Sequence, residues 1–329
     1  MSAADDAAPI RLGVLGCADV AARRVLPAVA TTSGIRLVAV ASRTLGKARA
    51  LAAHFGGEPV LGYQTLLDRT DVDAVYIPLP SALHAEWIAR ALMAGKHVLA
   101  EKPLTTSGAE TARVAMLAHR QQRVLMENFM FHRHSQHAAV RRLLDDGAIG
   151  TVRSFAATFA IPPRPQSDIR YSAELGGGAV LDVGGYPVRA AQLLLGANLT
   201  VMGASLSHDN VLGVDVGGAA LLRRDDGVTA QLSFGLRHAY TSHYEFLGTD
   251  GRLSLDHVFT PPPGHRPVVR LACQDRREQL TLPSDDQYAA SVAAFTGAVR
   301  AGSVLDADTV VVQARLIDDI RWHGTRPAG

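Results

Sequence analysis

Ile10-Arg-Leu-Gly13-Val-Leu15-Gly16-Cys17-Ala18-Asp19-Val20-Ala21 is the stretch on which the fold turns. An apolar run, Ile10–Leu15, ends on a glycine and gives way to a helical pattern over Val20–Thr31. Strand, glycine turn and helix in that order form a dinucleotide loop, provided each small residue does its part. Gly16 permits the tight turn. Ala18 stands where the backbone must approach a pyrophosphate, a place usually held by glycine. Ala21 lets the helix pack close to the strand. Gly16, Cys17, Ala18, Asp19 and Val20 are therefore candidate cofactor residues, with pyrophosphate facing the N–H groups and positive dipole end of the helix. An ordinary tight turn is the alternative.

Working outward, further apolar runs occur at Ile35–Ala41, Ala74–Leu79, His97–Ala100 and Val124–Glu127. Between them lie helical patterns at Lys47–His54, Leu83–Ala94 and Gly108–Gln121. Continuous apolar strands separated by helices imply a parallel sheet covered on both faces, the doubly wound α/β plan. The second half reads differently. A helix is expected at Gln136–Asp145 and a longer one at Ala179–Leu195. Strand-like runs occur at Thr151–Ile161, Leu199–His208, Gly218–Arg224, Val228–Leu236, Tyr244–Thr249, Arg252–Asp256, Val268–Cys273 and Glu278–Leu282. Asp226-Gly227, Asp250-Gly251 and Pro261–Gly264 mark turns between some of them, so this sheet should be large, open and mostly antiparallel. Helices near Asp286–Ala301 and Asp306–His323 close the chain. The expected division is a dinucleotide-binding domain over 1–128 and an α+β domain over 129–329.

Composition narrows the function. The 329 residues carry 33 Lys+Arg against 31 Asp+Glu. A near-neutral chain lacks the long-range field of a nucleic-acid binder. With 47% hydrophobic residues it is not a disordered tail. No run approaches the ~18–20 apolar residues that span a bilayer. Met1–Pro9 is small, polar and acidic, without the pattern of a secretory signal. Cys17 and Cys273 are too few for a disulfide framework or a zinc site. His132 and His134 lack the carboxylate or histidine spacing of a metal site, so no metal is expected. The chain reads as cytoplasmic.

The end of the second strand specifies the dinucleotide. An NAD site wants a carboxylate about 20 residues beyond the glycines, to hold the ribose hydroxyls. Here stand Ser42, Arg43 and, one turn on, Lys47. A hydroxyl, a guanidinium and an ammonium suit a 2′-phosphate, so NADP(H) is the expected cofactor. Further along come Tyr76-Ile-Pro-Leu79-Pro80-Ser-Ala-Leu-His84, then Ala94-Gly-Lys96-His-Val-Leu-Ala-Glu101-Lys102-Pro103-Leu104. Glu127-Asn-Phe-Met-Phe-His132-Arg-His134-Ser-Gln136 and Gly176-Gly-Gly-Ala-Val-Leu-Asp182-Val-Gly-Gly-Tyr186 follow. In this order, over nearly the whole chain, these motifs resemble the Gfo/Idh/MocA oxidoreductases, pyridine-nucleotide enzymes of sugars, inositols and related polyols.

The resemblance implies a Rossmann domain in which Leu79, Pro80, His84, Glu101 and Lys102 line the cofactor. Tyr63 is a candidate near adenosine. Glu101-Lys102-Pro103 follows a strand at the carboxyl edge of the sheet, where such folds bind ligands. Asp182 and Tyr186 are spaced to share a helix face. Hydride transfer to a ketone leaves negative charge on oxygen, which needs a proton donor or a stabilising charge. Tyr186 can give the proton. Lys102 can bind the same oxygen or donate directly, and Asp182 can orient Lys102 or a hydroxyl. Lysine supplies only Lys47, Lys96 and Lys102 of the 33 basic residues, arginine the other thirty. Lysine at position 102 thus suggests a need for an ammonium that can trade its proton.

Where the family's dehydrogenases often carry histidine, this chain has Tyr186, which looks like the branch reducing keto groups of nucleotide-activated sugars. The implied reaction is NADPH-dependent reduction at C-3 of a dTDP-linked keto-deoxysugar. A diphosphate substrate makes Arg24, Arg237 and Arg252 candidates, with Tyr240 near the substrate. Arg170, just before the triple glycine, is a candidate for substrate or cofactor. The alternatives are an NADP-dependent dehydrogenase of free pyranosides or dihydrodiols, and a non-catalytic NADP-binding regulator. The open sheet suggests a homodimer or homotetramer.

Overall fold

The computed structural model describes residues 8–303 and 307–325, so residues 1–7 of the N-terminal reading and Asp306 at the start of the last expected helix lie outside the described residues. The opening stretch is β1 (Ile10–Leu15), a π-helical turn at Ala21–Val25 and α1 (Leu26–Thr31). Then come β2 (Ile35–Ser42), α2 (Leu45–Phe55), β3 (Glu58–Leu61), α3 (Tyr63–Leu67), β4 (Ala74–Ile77), α4 (His84–Met93), β5 (His97–Glu101), α5 (Gly108–Arg120) and β6 (Leu125–Asn128). The strands lie in the order β3-β2-β1-β4-β5-β6, all parallel. This is the doubly wound arrangement. Leu12, Val14, Tyr76 and Leu99 belong to one apolar cluster, with Val25 and Leu26. Leu15, Val75, Ile77 and Val98 belong to another, with Ile88 and Val114. The central strands β1, β4 and β5 are mostly apolar because both of their faces are covered.

Two elements escape the sequence patterns. β3 is Glu58-Pro-Val-Leu61, an edge strand whose proline and carboxylate break the apolar run. α3 has five residues, too few to show a helical period.

The next elements are α6 (Ser135–Asp145), β7 (Val152–Ala160), α7 (Gly185–Leu195), β8 (Leu199–Asp209), β9 (Val214–Arg224) and β10 (Thr229–Gly235). They are followed by β11 (Thr241–Gly248), β12 (Arg252–Asp256), β13 (Val268–Cys273), β14 (Arg276–Thr281), α8 (Gln287–Ala301) and α9 (Ala307–Gly324). Eight strands pair in the order β14-β13-β12-β11-β7-β10-β9-β8. Every neighbour is antiparallel except β7 with β10. Phe155, Ala157 and Phe159 alternate along β7 toward one face, opposite Phe246, Tyr244 and Ser242 of β11, and α7 packs on β7 from that side.

The chain divides into two compact units at places other than 128/129. The first runs to Met130 and resumes over Tyr288–Val311; the second holds Phe131–Gln287 and the chain from Val312. The physical reason lies in α8, whose Val292, Phe295 and Ala298 are buried in the cluster of β1 and β4. A fully buried phenylalanine contributes about 1.5–3 kcal/mol, so α8 joins the first unit's core. Among the described residues no helix is long and apolar enough to cross a membrane.

His137 of α6 is 2% exposed and shares a hydrogen bond with the buried Tyr244 hydroxyl at 3.1 Å. Burial pulls its pKa from 6.5 down to about 3. The folded chain resists a proton that the unfolded chain accepts, so stability rises with pH through that window and is lost as pH falls from 6.5 toward 3. Melting temperature followed from pH 7 downward should decline accordingly. His137→Gln should reduce the slope by the equivalent of about one proton.

Candidate active site

In the first unit, the opening loop is fixed from two sides. The Gly16 N–H donates to the Ala41 carbonyl at 2.9 Å, tying the end of β1 to β2. Gly16 has φ +115°, and a Cβ there would lie 2.9 Å from the Leu79 side chain, so only glycine fits. The Ala18 carbonyl accepts from Ala21 N at 3.0 Å, so the helix starts on the residue that replaces the usual glycine. Asp19 pairs with Arg23 at 3.1 Å on the exposed side of the helix.

At the end of β2 the expected cofactor residues converge. Ser42 is 5% exposed and its Oγ accepts from Thr44 N at 3.2 Å. Burial holds the Cys17 pKa above the usual thiol value, opposed by the Ser42 side chain and the Lys47 ammonium. Burial raises the Tyr63 pKa, opposed by the charge of the Arg43 guanidinium. A hydroxyl, a guanidinium and an ammonium here, together with the side-chain-free approach at Gly16, fit NADP(H).

The turn after β5 carries Lys102. Glu101, 9% exposed, accepts from the Tyr76 hydroxyl at 2.7 Å and from Asn128 Nδ2 at 2.6 Å. Asn128 Oδ1 accepts in turn from Ser291 Oγ of α8 at 2.8 Å. Burial raises the Glu101 pKa, opposed by these hydrogen bonds and by the charge of Lys102. The Lys102-Pro103 bond is cis, and the Leu104 N–H donates to Glu127 Oε1 at 2.9 Å. His84 and Glu101, expected to line the cofactor, both brace this turn. His84 is fully buried, its ring nitrogens 2.8 Å from the Pro103 and Leu79 carbonyls. Burial lowers its pKa despite those contacts. Tyr76, Asn128, Glu127 and Ser291 were missed as supports, although three of them stand inside the quoted motifs.

In the second unit, Gly176–Gly178 lead into a helix whose first turn, Val180–Gly184, is π-helical. A Cβ at Gly177 would run into the Arg170 carbonyl, and one at Gly178 into the Asp215 carboxylate. Asp215 accepts from Val180 N at 2.6 Å and so caps the helix. Arg170, expected near substrate or cofactor, is committed to two carboxylates: its Nε donates to Asp182 at 2.6 Å and its Nη1 to Asp168 at 3.1 Å. Asp182 therefore answers to Arg170 within this unit. Tyr186 is 4% exposed, with ring centroids of Phe159, Phe131 and Phe259 at 4.6, 5.6 and 5.6 Å.

The expected substrate residues are scattered. Arg24, in the first unit, lies over the Tyr288 ring at 5.9 Å. Arg237 is engaged by Asp209 at 2.8 Å and lies over Tyr171 at 5.4 Å. Arg252 lies 3.5 Å from Glu245. Tyr240 is 44% exposed, stacks on His257 and hydrogen-bonds Thr260 at 3.1 Å. Among the described residues no group of three His, Cys, Asp or Glu side chains could hold a metal ion.

Residues 10–129 match the oxidoreductase family with an NAD-binding Rossmann fold, and residues 137–254 match the Gfo/Idh/MocA C-terminal domain. The chain belongs to the Gfo/Idh/MocA oxidoreductase family. It is 54% identical, over 96% of either chain, to the dTDP-3,4-didehydro-2,6-dideoxy-alpha-D-glucose 3-reductase of Actinomadura kijaniata. It is 55% identical to the 3-reductase of the same name from Streptomyces violaceoruber, over 95% of this chain and 94% of that one. Among solved structures it resembles KijD10, a 3-ketoreductase from Actinomadura kijaniata in complex with NADP and TDP-benzene. The TM-score is 0.94 at 54% identity, covering 96% of this chain and 98% of that chain.

Arg43→Ala is expected to weaken NADPH binding by about tenfold or more. NADH, which has no 2′-phosphate, should bind almost as before; paired fluorescence titrations check both.

Proposed function

We propose that the protein reduces the C-3 keto group of a dTDP-linked keto-deoxysugar with NADPH, a substrate of the dTDP-3,4-diketo-2,6-dideoxyglucose type, in deoxysugar and antibiotic biosynthesis. The protein is an NADP-dependent oxidoreductase, in accord with its 3-reductase relatives. The observation that carries the reading is the β2 corner, where Ser42, Arg43 and Lys47 stand with Cys17 and Tyr63, in a chain that aligns end to end with those relatives.

Bound NADPH supplies the hydride. The protein's task is the oxygen, which turns from a carbonyl into an alkoxide unless a proton arrives. Tyr186 is assigned as the proton donor. Its ring is held by three phenylalanines, which leaves the phenol little freedom to misalign. Lys102 is assigned as the ammonium that stabilises the developing charge or donates directly. Asp182, ion-paired with the Arg170 guanidinium, is assigned to a substrate hydroxyl.

The face of the eight-stranded sheet away from α7 carries Leu221 and Leu247, 42% and 46% exposed, next in sequence to the buried Leu222 and Phe246. This supports a homodimer or homotetramer through the sheet. Cys17 and Cys273 are both free, which suits a reducing cytoplasm.

Tyr186→Phe and Lys102→Ala should bind NADPH normally while kcat falls by about a hundredfold or more. Lys102→Arg keeps the charge and should still lose most of the activity, because arginine does not release its proton. The substrate assignment is checked by comparing kcat/KM on the dTDP-sugar and on the corresponding free sugar. Equal efficiency would count against it.

A further inference from the structure

The helix that carries Asp182 and Tyr186 does not begin as an α-helix. Its first turn, Val180–Gly184, is π-helical, and α7 continues from Gly185. On an α-helix two side chains four residues apart diverge by about 40° around the axis. A turn closed over one residue more rotates less at each step. The π turn therefore brings Tyr186 closer to a line with Asp182 than an α turn would. Such turns are rare and gather at functional sites.

The turn is held from several sides, all within the second unit. β7, β9 and β10 pack on it. Asp215 of β9 accepts from the Val180 N–H through Oδ2 at 2.6 Å. A Cβ on Gly178 would run into its other oxygen, Oδ1, so the carboxylate is fitted against the backbone entering the turn. At the far end, a Cβ on Gly184 would lie 3.2 Å from the Phe234 ring and 3.3 Å from the Ala179 carbonyl. The Gly185 carbonyl accepts from Gln313 Nε2 at 3.4 Å. Of these holds the carboxylate on the Val180 N–H is the short, charge-assisted one. It fixes the residue at which the turn begins, and the direction of every later side chain follows from that origin.

We propose that Asp215 is a positioning residue for the reduction: by pinning the Val180 N–H it keeps the first turn in its π form and so sets Tyr186 in line with Asp182. The proposal rests on the reading of Tyr186 as proton donor and of Asp182 as partner of a substrate hydroxyl. It adds the residue that sets their relative direction. A substrate held by its hydroxyl then presents its keto oxygen to the phenol. Without the pin the substrate still binds, but the proton is offered from the wrong angle.

The test is steady-state kinetics of the full-length protein with NADPH and the dTDP-linked keto-deoxysugar, alongside NADPH titration and melting temperature. Asp215→Ala is expected to lower kcat about tenfold or more, while KM stays within about threefold and the Kd for NADPH within about twofold. Asp215→Asn keeps an acceptor oxygen for the Val180 N–H and should restore kcat to within about threefold of the parent. Asp215→Ser is too short to reach that N–H; it should repeat the alanine loss, and it stands in for alanine if that variant does not fold. In a Tyr186→Phe background the kcat loss from Asp215→Ala should shrink to about threefold or less, because the donor it aims is gone. A lower melting temperature with unchanged kcat overturns the proposal, since it marks a cap and nothing more. So does an asparagine variant as slow as alanine, which marks a need for the charge, and so does full additivity with Tyr186→Phe. If Tyr186→Phe alone keeps the parent kcat, the reading of the donor fails first, and the proposal with it.

Discussion

A carboxyl group shut away from water stands immediately before Lys102, and much of the first unit is arranged around the need to satisfy it. An ionised side chain at such a depth costs several kcal/mol unless donors surround it. Glu101 receives a phenol from β4 and an amide from β6, strands that flank β5 in the parallel order. The amide is itself steadied by a serine from α8. His84 and Glu127 then fix the carbonyl and the N–H of the next two residues. A turn held on so many sides sets Lys102 where the sheet puts it, and its supports come from β4, α4, β6 and α8.

The second unit solves the corresponding problem with charge. Asp182 rests on the Arg170 guanidinium, and Arg170 rests also on Asp168. Neutral donors around Glu101 leave the lysine next to it as a compensating charge. A guanidinium against Asp182 compensates that carboxylate directly. The glycines of this loop follow from the same crowding. Gly177 and Gly178 abut the Arg170 carbonyl and the Asp215 carboxylate, so they make room for the protein's own groups.

The sequence disclosed most of what depends on local pattern. The strands of the parallel sheet stood out because burial on both faces makes them uniformly apolar, and β7 to β14 because turn signals punctuate them. Edge strand β3 did not, since an edge tolerates Pro59 and Glu58. The π-helical first turns at Ala21–Val25 and Val180–Gly184 leave no mark on spacing. For the site, Lys102, Asp182 and Tyr186 were legible as motif residues, and Ser42, Arg43 and Lys47 as chemistry. What holds them was not, because those contacts join distant parts of the chain: Asn128 to Ser291, Arg170 to Asp182, His84 to Pro103. The internal partners of His84 and Arg170 were hidden for the same reason. A polar side chain in a motif reads as a ligand until its internal partner is known.

The return of α8 to the first unit bears on how the chain is made. Synthesis releases β1 through β6 first, yet Val292, Phe295 and Ser291 emerge only after the whole second sheet. Until then the part of that face where α8 will pack beside α1 and α2 is open, and Asn128 lacks its serine. The parallel sheet must therefore persist as a partly finished surface while roughly half the protein is added beyond it, a stage at which exposed apolar strands invite association with other chains. Arrival of α8 closes that surface and completes the bracing of Glu101 in one event, so the first unit gains its final core and the settled turn at Lys102 together.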